Sequence, residues 1–552
     1  MVETPDERVE RVVAGVESAV EALGSKGGET GDVEDEGKSP SATKDYITYK
    51  QRWAILITVT LLNISNASLW INTAPVTFKA AAYFQQPVEE INWFSLVFLF
   101  VSIPFCFIST FSVNHLGLRP AIHIGSALNC LGAVLRAVST SGLIKSLNTQ
   151  FAVSLTGQTI AGMAQPFLLF IPTKVSQLWF PEHARAISTT VLSMSNPLGI
   201  LVAQVSSPLL VKNKDQLPTL NYVFCGVAIV SQLVTLACIT RSKPPTPPSQ
   251  SAERGEKERA PYLTQLKLTF TNVPYLLLLL SFGCGVGLFS SLATVTQQLL
   301  CPLGYSDTFS GLINGAMILC GFVGSAVTGI LADRTKAFTP ISKVTYGLAT
   351  IIAIILMEMF MVPHQHALVA LFMGLFGFFG VGAYPIGLEL AVETTYPVEE
   401  SISTAFIFMS GQAQGMIIIA MVTFLAREEK PEYSDLEVCT KGTNSDSMES
   451  KPQDYTVSLM AIMSLLTFAV TLTIAFFHTP YKRLEAERAS SSLTTSTSSV
   501  HSLTATSGYA SENICGTDSS SSSRNSEKRK TVGVVEEWEA EDYDPEIEQS
   551  HL

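Results

Sequence analysis

Four side chains capable of polar chemistry share one helical stripe in LLNISNASLWINTAPV: Asn63, Asn66, Trp70 and Thr73, at i, i+3, i+7 and i+10. They interrupt a run otherwise made for an apolar surround. Comparable stripes follow at Gln158, Gly162 and Gln165, at Ser193 and Asn196, and at Ser291, Thr294 and Gln298, with Gln412 and Gln414 further on. Such residues either tie helices together by hydrogen bonds or line a wet cavity, and their recurrence on five segments favours the cavity. Amides and an indole without a fixed central charge suit neutral polar groups or a soft organic cation. An indole face attracts a quaternary ammonium by roughly 0.5 to 2 kcal/mol once water is excluded. Hydrated small ions would find no carboxylate cage. Trp70 has a second reading as a membrane-interface anchor, because counting from Arg52 puts it roughly 27 Å along a helix.

Other chemistries find less support. No nucleophile elbow, Walker loop or metal-ligand cluster occurs, so neither catalysis nor a bound cofactor or metal is expected. A charge inside an apolar stretch is costly and usually functional. Glu358 in LMEMFM is the clearest such residue; Glu389 and Glu393 stand near one end of a stretch, and Lys79, Glu89, Glu90 and Arg136 near the opposite rim. No relay of Asp, Glu and His crosses the N-terminal half, so a facilitative or potential-driven process is easier to defend than proton coupling. Haem would call for axial ligands, yet of eight histidines only His123 falls in an apolar stretch, and Met194, Met409 and Met416 read as packing.

The elements that must position these residues follow from composition. Of 552 residues 47% are hydrophobic and 15% charged, which points to a chain with many membrane spans. Stretches of roughly 20 mostly apolar residues begin near Arg52, Ile91, Ala121, Gln150, Ala186, Asn221, Asn272, Gly311, Ile341, His366, Ile402 and Tyr455, which makes twelve. None alternates as a barrel strand would. Lys and Arg near the span ends number about 18 on one side and about 8 on the other, which puts both termini in the cytoplasm; the plasma membrane is the expected location, with an internal membrane as the alternative. The first 46 residues show no cleavable signal, although residues 5–24 place valines at amphipathic helical spacing.

The expected organisation is an acidic tail (1–46), a six-helix half (47–242), a Pro-rich and then charged linker (243–265), a second six-helix half (266–486) and a Ser-rich tail (487–552). The last residues, Ser550, His551 and Leu552, fit a weak PDZ-type ligand. The formal net charge of −12 resides in tails and one loop, and no basic stripe suggests nucleic-acid binding. A small solute and the lipid bilayer are the expected partners. The nine cysteines lack metal spacing; Cys301 and Cys439, both in loops of one side, are a candidate disulfide or two free thiols.

The halves repeat. FSVNHLGLRP and GILADRTK occupy equivalent loops, as do WFPEHARAISTT and TYPVEESISTA. Parallel six-helix repeats are the architecture of the major facilitator superfamily, and GILADRTK resembles its gating motif, which casts Asp333 and Arg334 as a latch. The first copy offers Asn114 and Arg119, with Asn114 at the Asp position. Further strings, among them GSALNCLGA, NASLW, INWFSLVFL, MSNPLGILVA and FHTPYKRLEAE, resemble solute carrier family 49, the feline leukaemia virus subgroup C receptor-related proteins, over roughly residues 48–488. The resemblance implies an all-α transporter of twelve transmembrane helices that carries choline or ethanolamine, with a haem or porphyrin transporter or a non-transporting receptor or scaffold as alternatives. It implies substrate contacts at Trp70, Gln165 and Gln412, and puts Ser290 where relatives use a tyrosine. Asn66 and Gln298, from the polar stripes, complete the candidate set.

Overall fold

Proline and glycine decide where the apolar rods stop, bend and touch. The computed structural model describes residues 47–248, 261–428 and 453–485. In the N-terminal half α1 (Gln51–Ile71) breaks at a 3₁₀ turn, Ala74–Val76, whose Pro75 cannot continue the helical ladder, and α2 (Thr77–Phe84) prolongs the rod. There follow α3 (Val88–Ile91), α4 (Trp93–His115), α5 (Leu118–Ser139), α6 (Leu147–Leu169), α7 (Pro172–Trp179), α8 (Glu182–Leu210) and α9 (Leu217–Cys238). The C-terminal half contains α10 (Tyr262–Thr271), α11 (Val273–Leu300), α12 (Asp307–Thr335), α13 (Phe338–Met359), α14 (His366–Phe376), α15 (Tyr384–Thr395) and α16 (Glu400–Phe424). A short antiparallel pair, β1 (Arg427–Glu428) with β2 (Gln453–Asp454), precedes α17 (Thr456–Phe476).

Among the described residues ten helical segments are long and apolar enough to cross a membrane. The two remaining long helices, α6 and α8, span 23 and 29 residues but carry more amides and hydroxyls, because both line the interior of the bundle. They bring the long rods to twelve among the described residues, arranged as the all-α, two-half bundle expected from the sequence. The readings made for residues 5–24, for Cys439 and for the C-terminal Ser550–Leu552 lie outside the described residues.

Two faces are defined by contacts. The Tyr49 hydroxyl lies 3.0 Å from Thr246 Oγ1, and Arg119 N donates to Ser242 Oγ at 3.0 Å, so the start of α1, the start of α5 and the chain after α9 share a terminal face. In the C-terminal half the chain after α17 returns to this face, where the Arg483 guanidinium meets Glu389 and Glu400 at 3.1 and 3.3 Å. On the far face Lys79 Nζ donates to Val211 O at 2.9 Å. Glu358 lies in the last turn of the span Phe338–Met359, exposed and one residue from its end, so this carboxylate stands at the rim of a span rather than in its middle.

Close approach of backbones holds the rods together where lipid offers no hydrophobic drive. A Cβ on Gly132 of α5 would stand 2.5 Å from the Gly157 carbonyl of α6, and one on Gly157 would stand 2.7 Å from the Gly132 carbonyl. The tenth rod is interrupted by a π-helical turn, Gly377–Val381. Hydroxyls of α12 satisfy carbonyls there: Ser325 Oγ donates to Val381 O at 3.0 Å and Thr328 Oγ1 to Gly382 O at 2.6 Å. Single π turns inside helices are frequent at functional sites, and this one turns Tyr384 toward the interface between the halves.

Candidate functional site

The two halves enclose a cavity, part of it open to solvent, that is lined by residues of both. Trp70 of α1, Gln165 of α6 and Asn196 of α8 come from the N-terminal half. The facing wall is aromatic: Phe282 and Phe289 of α11, Tyr346 of α13, Tyr384 of α15 and Phe408 of α16. These rings support one another. Phe282 meets Tyr346 edge-on with centroids 6.2 Å apart, and Tyr384 lies 5.6 Å from Phe408.

Proline breaks aim the polar groups. Pro166 in α6 denies a donor to the Gly162 carbonyl one turn earlier, and Ser102 Oγ of α4 approaches that carbonyl at 3.4 Å. The same hydroxyl donates to Gln165 Oε1 at 2.6 Å, which fixes the amide beside the cavity. Gln412 Nε2 of α16 donates to the same oxygen at 3.3 Å, so the amides of the two halves meet. Pro197 interrupts α8 directly after Asn196.

Among the described residues no charged side chain lines the cavity, and several lining atoms lack partners. Trp70 Nε1 and Asn196 Nδ2 are donors without acceptors, and Gln412 Oε1 is an acceptor without a donor. The Tyr346 hydroxyl makes no hydrogen bond of acceptable geometry; its electrostatic neighbour is the Ser342 hydroxyl, one turn earlier on α13. A buried polar group without a partner is unfavourable by about 1 to 3 kcal/mol. A ligand with one acceptor and one donor on an apolar or soft cationic body would relieve that penalty.

Trp70 is held by a network behind it. Arg136 of α5 is buried and donates to Leu69 O at 2.9 Å, Gln158 Oε1 at 2.6 Å, Asn72 Oδ1 at 2.9 Å, Thr73 Oγ1 at 3.0 Å and Asn221 Oδ1 at 3.2 Å. Gln158 Nε2 in turn donates to Trp70 O at 3.2 Å and Phe94 O at 2.9 Å. A cation at a helix C-terminus complements the dipole, and here it caps the broken end of α1. Gln158 therefore faces this network rather than the cavity.

Of the residues expected from sequence, the structure brings Trp70, Gln165, Ser290 and Gln412 to the cavity. Asn66 and Gln298 are elsewhere. Asn66 Nδ2 donates to Asn129 Oδ1 and Ala161 O, both at 3.0 Å, and joins α1 to α5 and α6. Gln298 forms a reciprocal amide pair with Asn92, which donates to it at 3.3 Å, toward the far face. Of the gating set, Asn114 Oδ1 is buried without a partner, the Arg119 and Arg334 side chains are exposed, and of Asp333 only the backbone is described, in α12. Ion pairs that do bridge the halves are Lys79 with Asp307 at 2.9 Å on the far face and Lys174 with Glu399 at 2.6 Å on the terminal face. Cys301 is disulfide-bonded, with its partner outside the described residues. Tyr346, Tyr384 and Gly285 escaped the sequence reading; the YP of AYPIG was its one accessible signal.

Two six-helix halves around an uncharged cavity define a transporter of the major facilitator class. A model of the Major Facilitator Superfamily matches residues 55–421. The fold resembles that of a D-xylose-proton symporter, with a TM-score of 0.57 and 12% identity over 79% of this chain and 99% of that one. It also resembles a bacterial homolog of the lysosomal transporter Spinster, with a TM-score of 0.53 and 13% identity over 77% and 97%. Solute carrier family 49 member A3 of Xenopus tropicalis is 36% identical over 446 residues, 80% of this chain and 90% of the relative. Its Danio rerio counterpart is 34% identical over 446 residues, 81% and 91%. The chain belongs to solute carrier family 49, a multi-pass membrane protein family within that superfamily, as the sequence motifs implied. A more distant relative is the human Choline/ethanolamine transporter FLVCR2, 27% identical over 379 residues, 67% of this chain and 70% of the relative.

Proposed function

We propose that this chain is an alternating-access carrier for a small organic amine of the choline or ethanolamine type, with its terminal face toward the cytoplasm. The reading rests on the meeting of the Trp70 indole with the Gln165 and Gln412 amides in an uncharged cavity between the halves. An indole face and partnerless amide groups together suit an ammonium that also carries a hydroxyl. Relatives named as choline/ethanolamine transporters support the same class. The Lys79 to Asp307 and Asn92 to Gln298 contacts close the far mouth, and Lys174 to Glu399 spans the terminal one, so these pairs are the ones that would part in turn. With no titratable relay in the cavity, transport would follow the concentration gradient and the membrane potential. The two halves would be residues 47–242 and 266–486.

The test is uptake of labelled choline and ethanolamine, with haem as a parallel arm, in cells expressing the chain against cells that do not. Uptake of either amine above background supports the reading. Uptake of haem alone, or of none of the three by protein shown to be at the cell surface, overturns it. The latter would leave a receptor or scaffold.

A further inference from the structure

Three glycines stand at alternate positions of α11, and only two have a packing reason. A Cβ on Gly283 would meet the Gln414 and Ser410 side chains at 2.4 and 2.5 Å, and one on Gly287 would meet Gly415 N at 2.8 Å, so both let α16 lie against α11. Gly285 points the other way: a Cβ there would meet nothing within 4 Å, and the residue lines the cavity. Glycine inside a helix is less favourable than alanine by about 1 kcal/mol. Packing therefore does not account for Gly285, whereas open space beside the cavity does. Phe282 and Phe289, three residues before and four after, share the Gly285 face of the helix, and Ser290, about 140° further round, is a second small residue at the cavity.

We propose that Gly285, between Phe282 and Phe289, floors an apolar side chamber of the cavity with Ser290 at its edge, and that this chamber accepts a substituent bulkier than methyl on the transported amine. The substrate class is then an alkyl- or aryl-substituted aminoalcohol rather than choline itself, and Gly285 is the residue that sets this preference. This rests on the amine reading of the same cavity. The ammonium lies against Trp70, and the hydroxyl accepts from Trp70 Nε1 or Asn196 Nδ2 and donates to Gln412 Oε1. The remaining arm enters between Phe282 and Phe289, where an aromatic ring finds edge and face partners. Choline has no arm long enough to fill that space.

The experiment compares binding of choline and of benzyl(2-hydroxyethyl)dimethylammonium, which differ only by benzyl for methyl and are both permanently charged. The purified full chain in lipid nanodiscs is titrated with each, alongside Gly285→Leu and Ser290→Tyr. Discrimination by one apolar group in a fitted pocket commonly reaches 10- to 200-fold. The wild type is expected to favour the benzyl compound at least tenfold, and each variant to reduce that ratio at least tenfold. Should Gly285→Leu not fold, Gly285→Ala is read instead and should reduce the ratio by about threefold. Choline binding as well as the benzyl compound, or a ratio indifferent to both substitutions, overturns the chamber and leaves the amine reading in place. Binding of neither compound to folded wild type overturns both.

Discussion

Gln412 Nε2 lies 3.3 Å from Gln165 Oε1, so one hydrogen bond joins α16 to α6 across the cavity and couples the two halves at the point where a solute must sit. Gln165 Oε1 also receives the Ser102 hydroxyl, which leaves Gln412 Oε1 bare toward the cavity. Alanine at either glutamine should lower the initial rate of amine uptake by about tenfold, the equivalent of one good hydrogen bond. Because the two amides act together, the double substitution should be little worse than either alone. Fully additive losses, measured per molecule at the cell surface, would mean that the pair does not work as a unit.

The Trp70 side chain separates two readings of the same residue. Trp70→Ala should abolish uptake while the protein still reaches its membrane, and Trp70→Phe, which retains a weaker ring quadrupole, should keep part of it. Trp70 is buried at 3% exposure and its indole faces the cavity, so an interfacial anchor is the poorer account. Loss of surface protein in both variants would restore the anchor.

The polar stripes disclosed which helices face inward, but not at what depth. Asn66 and Trp70 share a face of α1, yet Trp70 sits at the helix end, where Pro75 and Arg136 open the bundle. Asn66 sits one turn deeper, where Asn129 and the Ala161 carbonyl are within hydrogen-bond reach. Gln298 likewise shares the α11 stripe but lies nearer the far face, against Asn92. Tyr346 and Tyr384 carried no polar periodicity at all. Tyr384 follows the π turn after α14, which hydroxyls of α12 hold, a non-local cause that a linear pattern does not contain. The bundle itself was legible, because span length is a local property of the chain.

Lys79 and Asp307 form a largely buried ion pair between the halves, with side-chain exposures of 21% and 18%. Pairs of this kind contribute about 0.2 to 1 kcal/mol, so Lys79→Met, which removes the attraction without adding repulsion, should change the uptake rate by no more than about fivefold, and Lys79→Glu, which sets two carboxylates together, should cost more. The exchanged pair, Lys79→Glu with Asp307→Lys, should return the rate toward wild type if attraction across the far mouth is what matters. Failure of the exchange to restore it would show that the Lys79 bond to Val211 O, rather than the ion pair, carries the effect.

Arg136 is the deepest charge in the N-terminal half, and no carboxylate pairs with it among the described residues. Five neutral acceptors surround the guanidinium, and the Phe94 ring lies 5.6 Å away. The fork geometry of arginine lets one side chain reach Leu69 O, Gln158 and Asn221 at once, which an ammonium cannot do. Arg136→Gln should strand two or three of these buried acceptors and destabilise the fold by about 3 kcal/mol or more. Arg136→Lys should recover only part of that. Thermal unfolding of the purified protein gives the order wild type, then lysine, then glutamine. Gln158→Leu should resemble the glutamine variant at 136, and combining the two should add little, since Gln158 carries the network on to the Trp70 carbonyl. A lysine variant as stable as wild type would show that charge alone, and not the fork, caps the broken end of α1.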